Sequence, residues 1–400
     1  MGISLGVTPA DRAREIQSVL RLGCVPGVGT RGLWRILERF GSGRQALEAG
    51  WRELDSAAGK PCSAALASAA LEHRVRDALD RCRAPGIDIL LWTDEAYPER
   101  LSQLADPPPV LFARGRLELL SRSAVTIVGS RRSTAYGRRS AEALAAQMAL
   151  RGITVVSGLA LGIDGAAHRG ALQAGGDTIA VLGSGVDLIQ PTSHRGLGER
   201  IADEGLLLSE FLPGEPARAH HFPRRNRILA ALGGAVVVVE AAEKSGALIT
   251  VEHALDLGRD VYAVPGALDA AQSRGCNLLI RQGAQVITSP EEFARDLSLV
   301  CGSSPAFRSD RVERQAEPRR GETSLELWPT AGPAEREDAP VGLSDEARRV
   351  WLALSRRSLY IDDVVSGAAL QSARVLSALT VLQVAGLVVQ DSGMRFRRAS

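Results

Sequence analysis

Between residues 125 and 264 the chain repeats one pattern six times: a short run that is apolar on both faces, usually followed by a stretch whose apolar residues fall at helical spacing. The runs are 125–129, 154–157, 178–182, 206–210, 235–240 and 261–264. Helical stretches are read over 138–151, 164–174, 194–204, 246–257 and 275–282. A strand apolar on both faces must be covered on both sides, which is the situation of a central parallel strand between two helical layers. Strands and helices in alternation make the expected fold class α/β, a doubly wound and mostly parallel sheet.

Composition narrows the function more than the fold. With 48 basic and 46 acidic residues the net charge is only +2, so a polyanion has to be met by a local patch and not by a globally basic surface. The cations are mostly arginine, which suits bidentate phosphate contacts, although a GC-rich genome gives the same bias. Aromatic residues make up 4% of the chain, too few for a long base-stacking platform. The cysteines Cys24, Cys62, Cys82, Cys276 and Cys301 form no C-x-x-C pair, so neither a metal site nor a disulfide framework is expected. Their odd number fits a reducing cytoplasm. The first residues lack the regions of a secretory signal, and no apolar stretch approaches the ~20 residues of a membrane span. The expectation is a cytoplasmic protein without metal or membrane.

In a doubly wound sheet, ligands bind beyond the carboxyl ends of the strands. Those positions carry Gly129-Ser130-Arg131-Arg132, Ser157-Gly158 and the loop to Gly165, Gly183-Ser184-Gly185, and Glu210-Phe211. Further along come Phe222-Pro223-Arg224-Arg225-Asn226-Arg227, Lys244-Ser245-Gly246 and Pro265-Gly266. Small residues let backbone N–H groups approach a ligand, and arginine and lysine neutralise phosphate. Neither G-x-G-x-x-G after the first run nor G-x-x-x-x-G-K-[ST] is present. That argues against a free nucleotide cofactor, and none is expected. It favours a polyanion laid across several strand ends.

In order along the chain, several of these motifs resemble the signatures of the DprA/Smf family. They are Gly129-Ser130-Arg131, the run from Val156 to His168, Phe222-Pro223-Arg224-Arg225-Asn226-Arg227-Ile228, Ser245-Gly246-Ala247-Leu248-Ile249-Thr250, Val264-Pro265-Gly266, and the run from Gly275 to Ala284. The resemblance implies a Rossmann-like domain that binds single-stranded DNA, forms a homodimer and promotes RecA loading in natural transformation and recombination, without catalysis. Single-strand-binding protein is a further partner in that setting. By position, the resemblance assigns DNA binding to Gly129, Ser130, Arg131, Ser157 and Gly158. It assigns the same role to Arg224, Arg225, Asn226, Arg227, Lys244, Ser245, Gly246 and Thr250. One loop departs: where many relatives carry Tyr-Pro-Lys-x-N, this chain reads Gln190-Pro191-Thr192-Ser193-His194-Arg195. The aromatic and the lysine are missing, and Arg195 is the candidate substitute.

Structural roles compete for several residues. Asp164 follows a glycine loop and suits a helix N-cap. His168 has no second ligand at metal spacing and reads as a packing residue. His220 and His221 are adjacent in what reads as an arginine-rich loop, an arrangement that disfavours a metal. Glu210 and Glu240 end apolar strands, where they are placed to pair with arginines of that loop.

Residues 1–85 read as a helical domain in which Thr8 caps a helix at Pro9 and a Pro-Gly-Val-Gly hairpin makes a helix-hairpin-helix-like (SAM-like) element. The α/β domain is assigned 86–300, and 301–340, of mixed charge without periodicity, reads as a flexible linker. Three helices and a hairpin over 341–400 read as a winged helix. Two other functions stay open. Ser245 to Glu252 echoes the loop of phosphoribohydrolase-like enzymes acting on nucleotides, though without its double-glycine start. The altered 190–195 loop suits a scaffold with weak DNA binding.

Overall fold

The computed structural model describes residues 8–83, 86–300, 343–354, 359–368, 370, 372–391 and 395–398. They fall into two units divided between Val312 and Glu313. The linker expected over 301–340 lies outside the described residues.

The first unit opens with helices α1 (Pro9–Gly23), α2 (Gly29–Phe40), α3 (Gly43–Glu48), α4 (Trp51–Ala58), α5 (Ser63–Leu66) and α6 (Ala69–Arg83). Thr8 caps α1, its hydroxyl accepting from the Asp11 N–H, with Pro9 in the first turn. The hairpin between α1 and α2 is turned toward the rest of the unit. Val25 and Val28 are buried, Arg224 donates to Thr30 Oγ1 at 2.9 Å, and the Trp34 indole N–H donates to the Pro107 carbonyl at 2.7 Å. One apolar cluster runs from Leu22 and Ile36 through to Leu182 and Leu207, so these helices share a core with the sheet that follows.

That sheet has nine strands: β1 (Asp88–Leu91), β2 (Val110–Gly115), β3 (Ala124–Val128), β4 (Thr154–Ser157), β5 (Thr178–Val181), β6 (Leu206–Ser209), β7 (Ala235–Val238), β8 (Asp260–Ala263) and β9 (Gln285–Val286). Their order is β1-β2-β6-β5-β4-β3-β7-β8-β9. The pairs from β6 to β9 are parallel, while β1 and β2 add an antiparallel edge. Strands β3 to β8 coincide with the six apolar runs, and every residue of β3 to β7 is buried. The helices are α7 (Glu99–Ser102), α8 (Ala135–Ala149), α9 (Ile163–Gln173), α10 (Arg195–Glu204), α11 (His221–Leu232), α12 (Ala247–Asp256), α13 (Arg274–Arg281) and α14 (Pro290–Val300). Alternate residues of β3 feed two cores. Val125 and Ile127 pack with Leu144 of α8 and Ala167 of α9. Ala124 and Val128 pack with Ile228 of α11 and Val251 of α12. From β3 the chain runs outward through β4, β5 and β6, then crosses back to β7, so the order reverses between β3 and β7, and the crevice at that point is where such sheets take ligands.

The sequence reading misses strands β1, β2 and β9 and helices α7, α11 and α14 of this unit. The segment read as an arginine-rich loop is the start of α11, and Pro223 sits in its first turn, where a missing N–H costs no helical bond.

The second unit has helices α15 (Asp345–Ala353), α16 (Ile361–Ala368) and α17 (Ser372–Val384). Strands β10 (Leu359–Tyr360), β11 (Val388–Asp391) and β12 (Arg395–Arg398) form an antiparallel sheet in the order β10-β12-β11. This is a winged helix, closed by a core that includes Val350, Trp351, Leu379, Leu382 and Phe396. Ser344 caps α15 by accepting from the Ala347 N–H. The short β10 was not foreseen, and the turn of the hairpin lies outside the described residues.

Candidate nucleic-acid interface

A cleft of about 730 Å³ opens at the switch point, over the ends of β3, β4 and β7. Gly129, Ser130 and Arg131 line it from the turn after β3, Arg225 and Asn226 from α11, and Ser245, Gly246 and Thr250 from the start of α12. Ser157, Gly158, Arg195, Arg224, Arg227 and Lys244 are not among its lining residues.

Arg131 is exposed, with its guanidinium carbon 4.3 Å from the centroid of the Phe222 ring. A cation over an aromatic face is held without losing its charge. Arg131 makes no ion pair among the described residues, so that charge faces the cleft. Phe222 is absent from the sequence-derived site. Its signal was a lone aromatic beside arginines at a strand end.

The opposite wall is the N-terminus of α12. Asn226 Nδ2 donates to the Gly246 carbonyl at 3.1 Å, and Ser245 Oγ accepts from the Ala247 N–H at 3.3 Å. Thr250 is 1% exposed, and its hydroxyl has no hydrogen-bond partner among the described residues. The positive end of a helix dipole beside an arginine attracts phosphate. Lys244 is exposed immediately before this turn.

The other arginines serve the frame. Arg225 is 3% exposed; its Nη1 donates to the Gly158 carbonyl at 2.8 Å and to the Val181 carbonyl, and its Nε donates to Asn226 Oδ1 at 3.2 Å. Burial pulls its pKa down to about 10, against the pull of Asp164, so it stays charged at neutral pH. Arg227 is also buried and donates to Glu210 Oε2, while Arg224, exposed, reaches Glu210 Oε1 at 2.9 Å. Burial raises the Glu210 pKa, and Arg227 and Arg224 pull it back. The expected pairing of Glu210 with arginines is therefore present. Glu240 differs from expectation: its carboxylate turns to Thr134.

Ser157 is buried, its hydroxyl donating to the Ile127 carbonyl at 2.6 Å. Arg195 is exposed at the start of α10, next to His194, whose Nδ1 lies 3.0 Å from the Leu159 carbonyl. The N-cap position of α9 is Gly162, not Asp164; the Asp164 carboxylate accepts from the Ala160 N–H at 3.3 Å instead. Burial raises the Asp164 pKa, opposed first by Arg225. His168 is fully buried with Nδ1 2.7 Å from Thr178 Oγ1, and burial lowers its pKa to about 3. Among the described residues no cluster of three or more His, Cys, Asp and Glu side chains is placed to hold a metal ion, and no helix is long and apolar enough to cross a membrane.

Comparison with known proteins bears on what such a cleft belongs to. Residues 88–298 match the family described as DNA recombination-mediator protein A, and residues 334–394 match the DprA winged helix domain. The chain is 37% identical to Protein Smf of Synechocystis over 316 residues, covering 76% of this chain and 78% of that protein. It is 45% identical to DNA processing protein DprA of Streptococcus pneumoniae over 208 residues, 52% of this chain and 72% of that one. The X-ray structure of the pneumococcal protein superposes with a TM-score of 0.63 at 35% identity, covering 70% of this chain and 97% of that one. The motifs that build the cleft walls thus sit inside the longest matched region, and the chain belongs to the DprA/Smf family of DNA recombination mediators.

Proposed function

We propose that this protein is a non-catalytic recombination mediator that binds single-stranded DNA in the switch-point cleft and promotes RecA loading on it. The observation that carries the reading is the pairing of two phosphate-attracting walls. Arg131 stands unpaired over Phe222 on one side, and the start of α12 with the buried Thr250 hydroxyl stands on the other. Gly129, Ser130, Ser245 and Gly246 bring backbone close to the strand, Lys244 adds charge at the rim, and Arg195 is an outlying phosphate contact. Ser157, Gly158, Arg224, Arg225, Asn226 and Arg227 hold the walls in place, with Arg224 the exposed member of that group.

The protein acts in the cytoplasm as a homodimer, with single-strand-binding protein as a further partner and no cofactor. Its organisation is a helical domain over 1–85, the α/β domain over 86–300, a linker over 301–340 and the winged helix over 341–400. Membership of the DNA recombination-mediator family supports this reading. The phosphoribohydrolase alternative needs a carboxylate directed at a nucleotide in the cleft, whereas Glu252 is exposed and not a lining residue.

The function is tested by RecA ATPase on single-stranded DNA pre-coated with single-strand-binding protein. Wild type shortens the lag before steady hydrolysis, and Arg131→Ala with Thr250→Val restores it. An unchanged lag with the wild-type protein sinks the mediator reading. Release of free base from a nucleotide revives the enzyme.

A further inference from the structure

In a doubly wound sheet, the helix that follows the first central strand points its N-terminal N–H groups at the switch point, where dinucleotide-binding proteins of this architecture hold a pyrophosphate. In this chain that helix is α8, and its first turn already carries an anion. Glu240, at the end of the neighbouring strand β7, is 3% exposed. Its Oε2 accepts from the Thr134 N–H at 2.8 Å and its Oε1 from the Thr134 hydroxyl at 2.5 Å. Thr134 is the N-cap of α8, and its hydroxyl in turn accepts from the Gly137 N–H at 3.1 Å.

Space has been made for this carboxylate. A Cβ on Gly137 would fall 2.3 Å from its carboxyl carbon, and a Cβ on Gly129 would fall 2.9 Å from the Glu240 carbonyl oxygen. The same carbonyl accepts from the Ser130 N–H at 2.6 Å. Glu240 therefore grips both ends of the turn that presents Arg131, through its backbone at Ser130 and its side chain at Thr134.

We infer that Glu240 is a specificity-determining residue: its carboxylate fills the anion seat of α8, excludes the pyrophosphate of free nucleotides from that helix, and leaves the α12 wall and Arg131 as the phosphate-binding part of the cleft. Two physical effects act together. The N–H and hydroxyl of the N-cap residue Thr134 are spent on the carboxylate, and a second anion placed there would meet a like charge in a poorly solvated site, where repulsion is strong. The buried carboxylate is tolerated because those donors and the helix N-terminus compensate it. On this inference a free nucleotide loses its usual phosphate seat in this fold although the switch point is open.

The test uses inorganic pyrophosphate as probe, titrated calorimetrically into the full-length protein as wild type, Glu240→Ala and Glu240→Gln. Wild type binds it weakly at the α12 wall. Glu240→Ala empties the seat and is expected to bind at least tenfold tighter. Glu240→Gln keeps the shape and an acceptor for the Thr134 N–H, so it folds even where the alanine variant does not; loss of the like charge alone is expected to give a gain of about threefold. A purely structural Glu240 would alter the melting temperature and leave pyrophosphate affinity unchanged. Absence of any gain in every folded variant overturns the inference. The probe reports on the seat whether or not single-stranded DNA binds the cleft, so failure of the DNA-binding reading and failure of this one are distinguishable.

Discussion

The guanidinium of Arg225 lies directly against the backbone of Gly158: Nη1 donates to the Gly158 carbonyl at 2.8 Å, and a Cβ at that glycine would fall 2.4 Å from the same nitrogen. The contact locks the segment just after β4 to the second turn of α11 and so fixes the floor of the cleft. Gly158→Ala must displace a buried, charged group. We expect a loss of about 1–3 kcal/mol, in the range of overpacking substitutions. Arg225→Ala is expected to cost more, about 3–5 kcal/mol, because it strips the compensating charge from buried Asp164. Urea unfolding of both variants checks the order.

The Glu210 pair of arginines separates burial from charge. Arg227 is buried on Glu210, whereas the Arg224 side chain is 43% exposed on the same carboxylate. Arg227→Ala is expected to destabilise by about 3–5 kcal/mol. Arg224→Ala is expected to cost about 1 kcal/mol or less. Equal losses in thermal or urea unfolding would contradict the assignment of Arg227 to the frame.

Acid stability carries the mark of His168. Thr178 Oγ1 donates to the Val155 carbonyl, so His168 Nδ1 must donate to that hydroxyl, which leaves Nε2 unprotonated and buried without a partner. The folded-state pKa, about 3, lies below the ordinary value of 6.5, so the unfolded chain binds a proton that the native state refuses. The neutral ring's contribution is complete above about pH 6.5 and is lost as pH falls toward about 3, by up to about 1.4 kcal/mol per unit. Buried Asp164 has its pKa raised, so its own contribution is lost in the other direction, as pH rises through the folded value. His168→Gln retains a donor for Thr178, and the difference between variant and wild type in urea unfolding should therefore narrow progressively below pH 6.5. A pH-independent difference would contradict the neutral buried ring.

Arg195 stands outside the cleft, on the loop that departs from the family pattern. Arg195→Ala should leave short oligonucleotides bound as in wild type and weaken only strands long enough to run past the end of β5. Equal loss for both lengths would bring Arg195 into the cleft itself.

The parallel sheet was legible because β3 to β7 are buried at every residue, and only a central strand needs that pattern. The edge strand β9 was not, since two exposed residues carry no periodicity. Helix α11 was hidden because Pro223 and a run of arginines read as loop, whereas its first turn accommodates the proline and aims Arg225 at carbonyls that close the ends of β4 and β5. Position relative to the strand ends made the cleft residues recognisable. Which arginines spend their charge inside depended on partners such as Gly158 and Glu210, brought together only by the fold.

The most direct test of the account is binding of labelled single-stranded and duplex oligonucleotides across a salt series, for wild type and Arg131→Ala. Single-strand preference is predicted, with affinity falling steeply as salt rises. The substitution should weaken binding, flatten the log–log slope by about 0.7 for one lost phosphate contact, and leave the melting temperature unchanged. Wild-type protein that fails to bind single strands even at low salt would contradict the central claim.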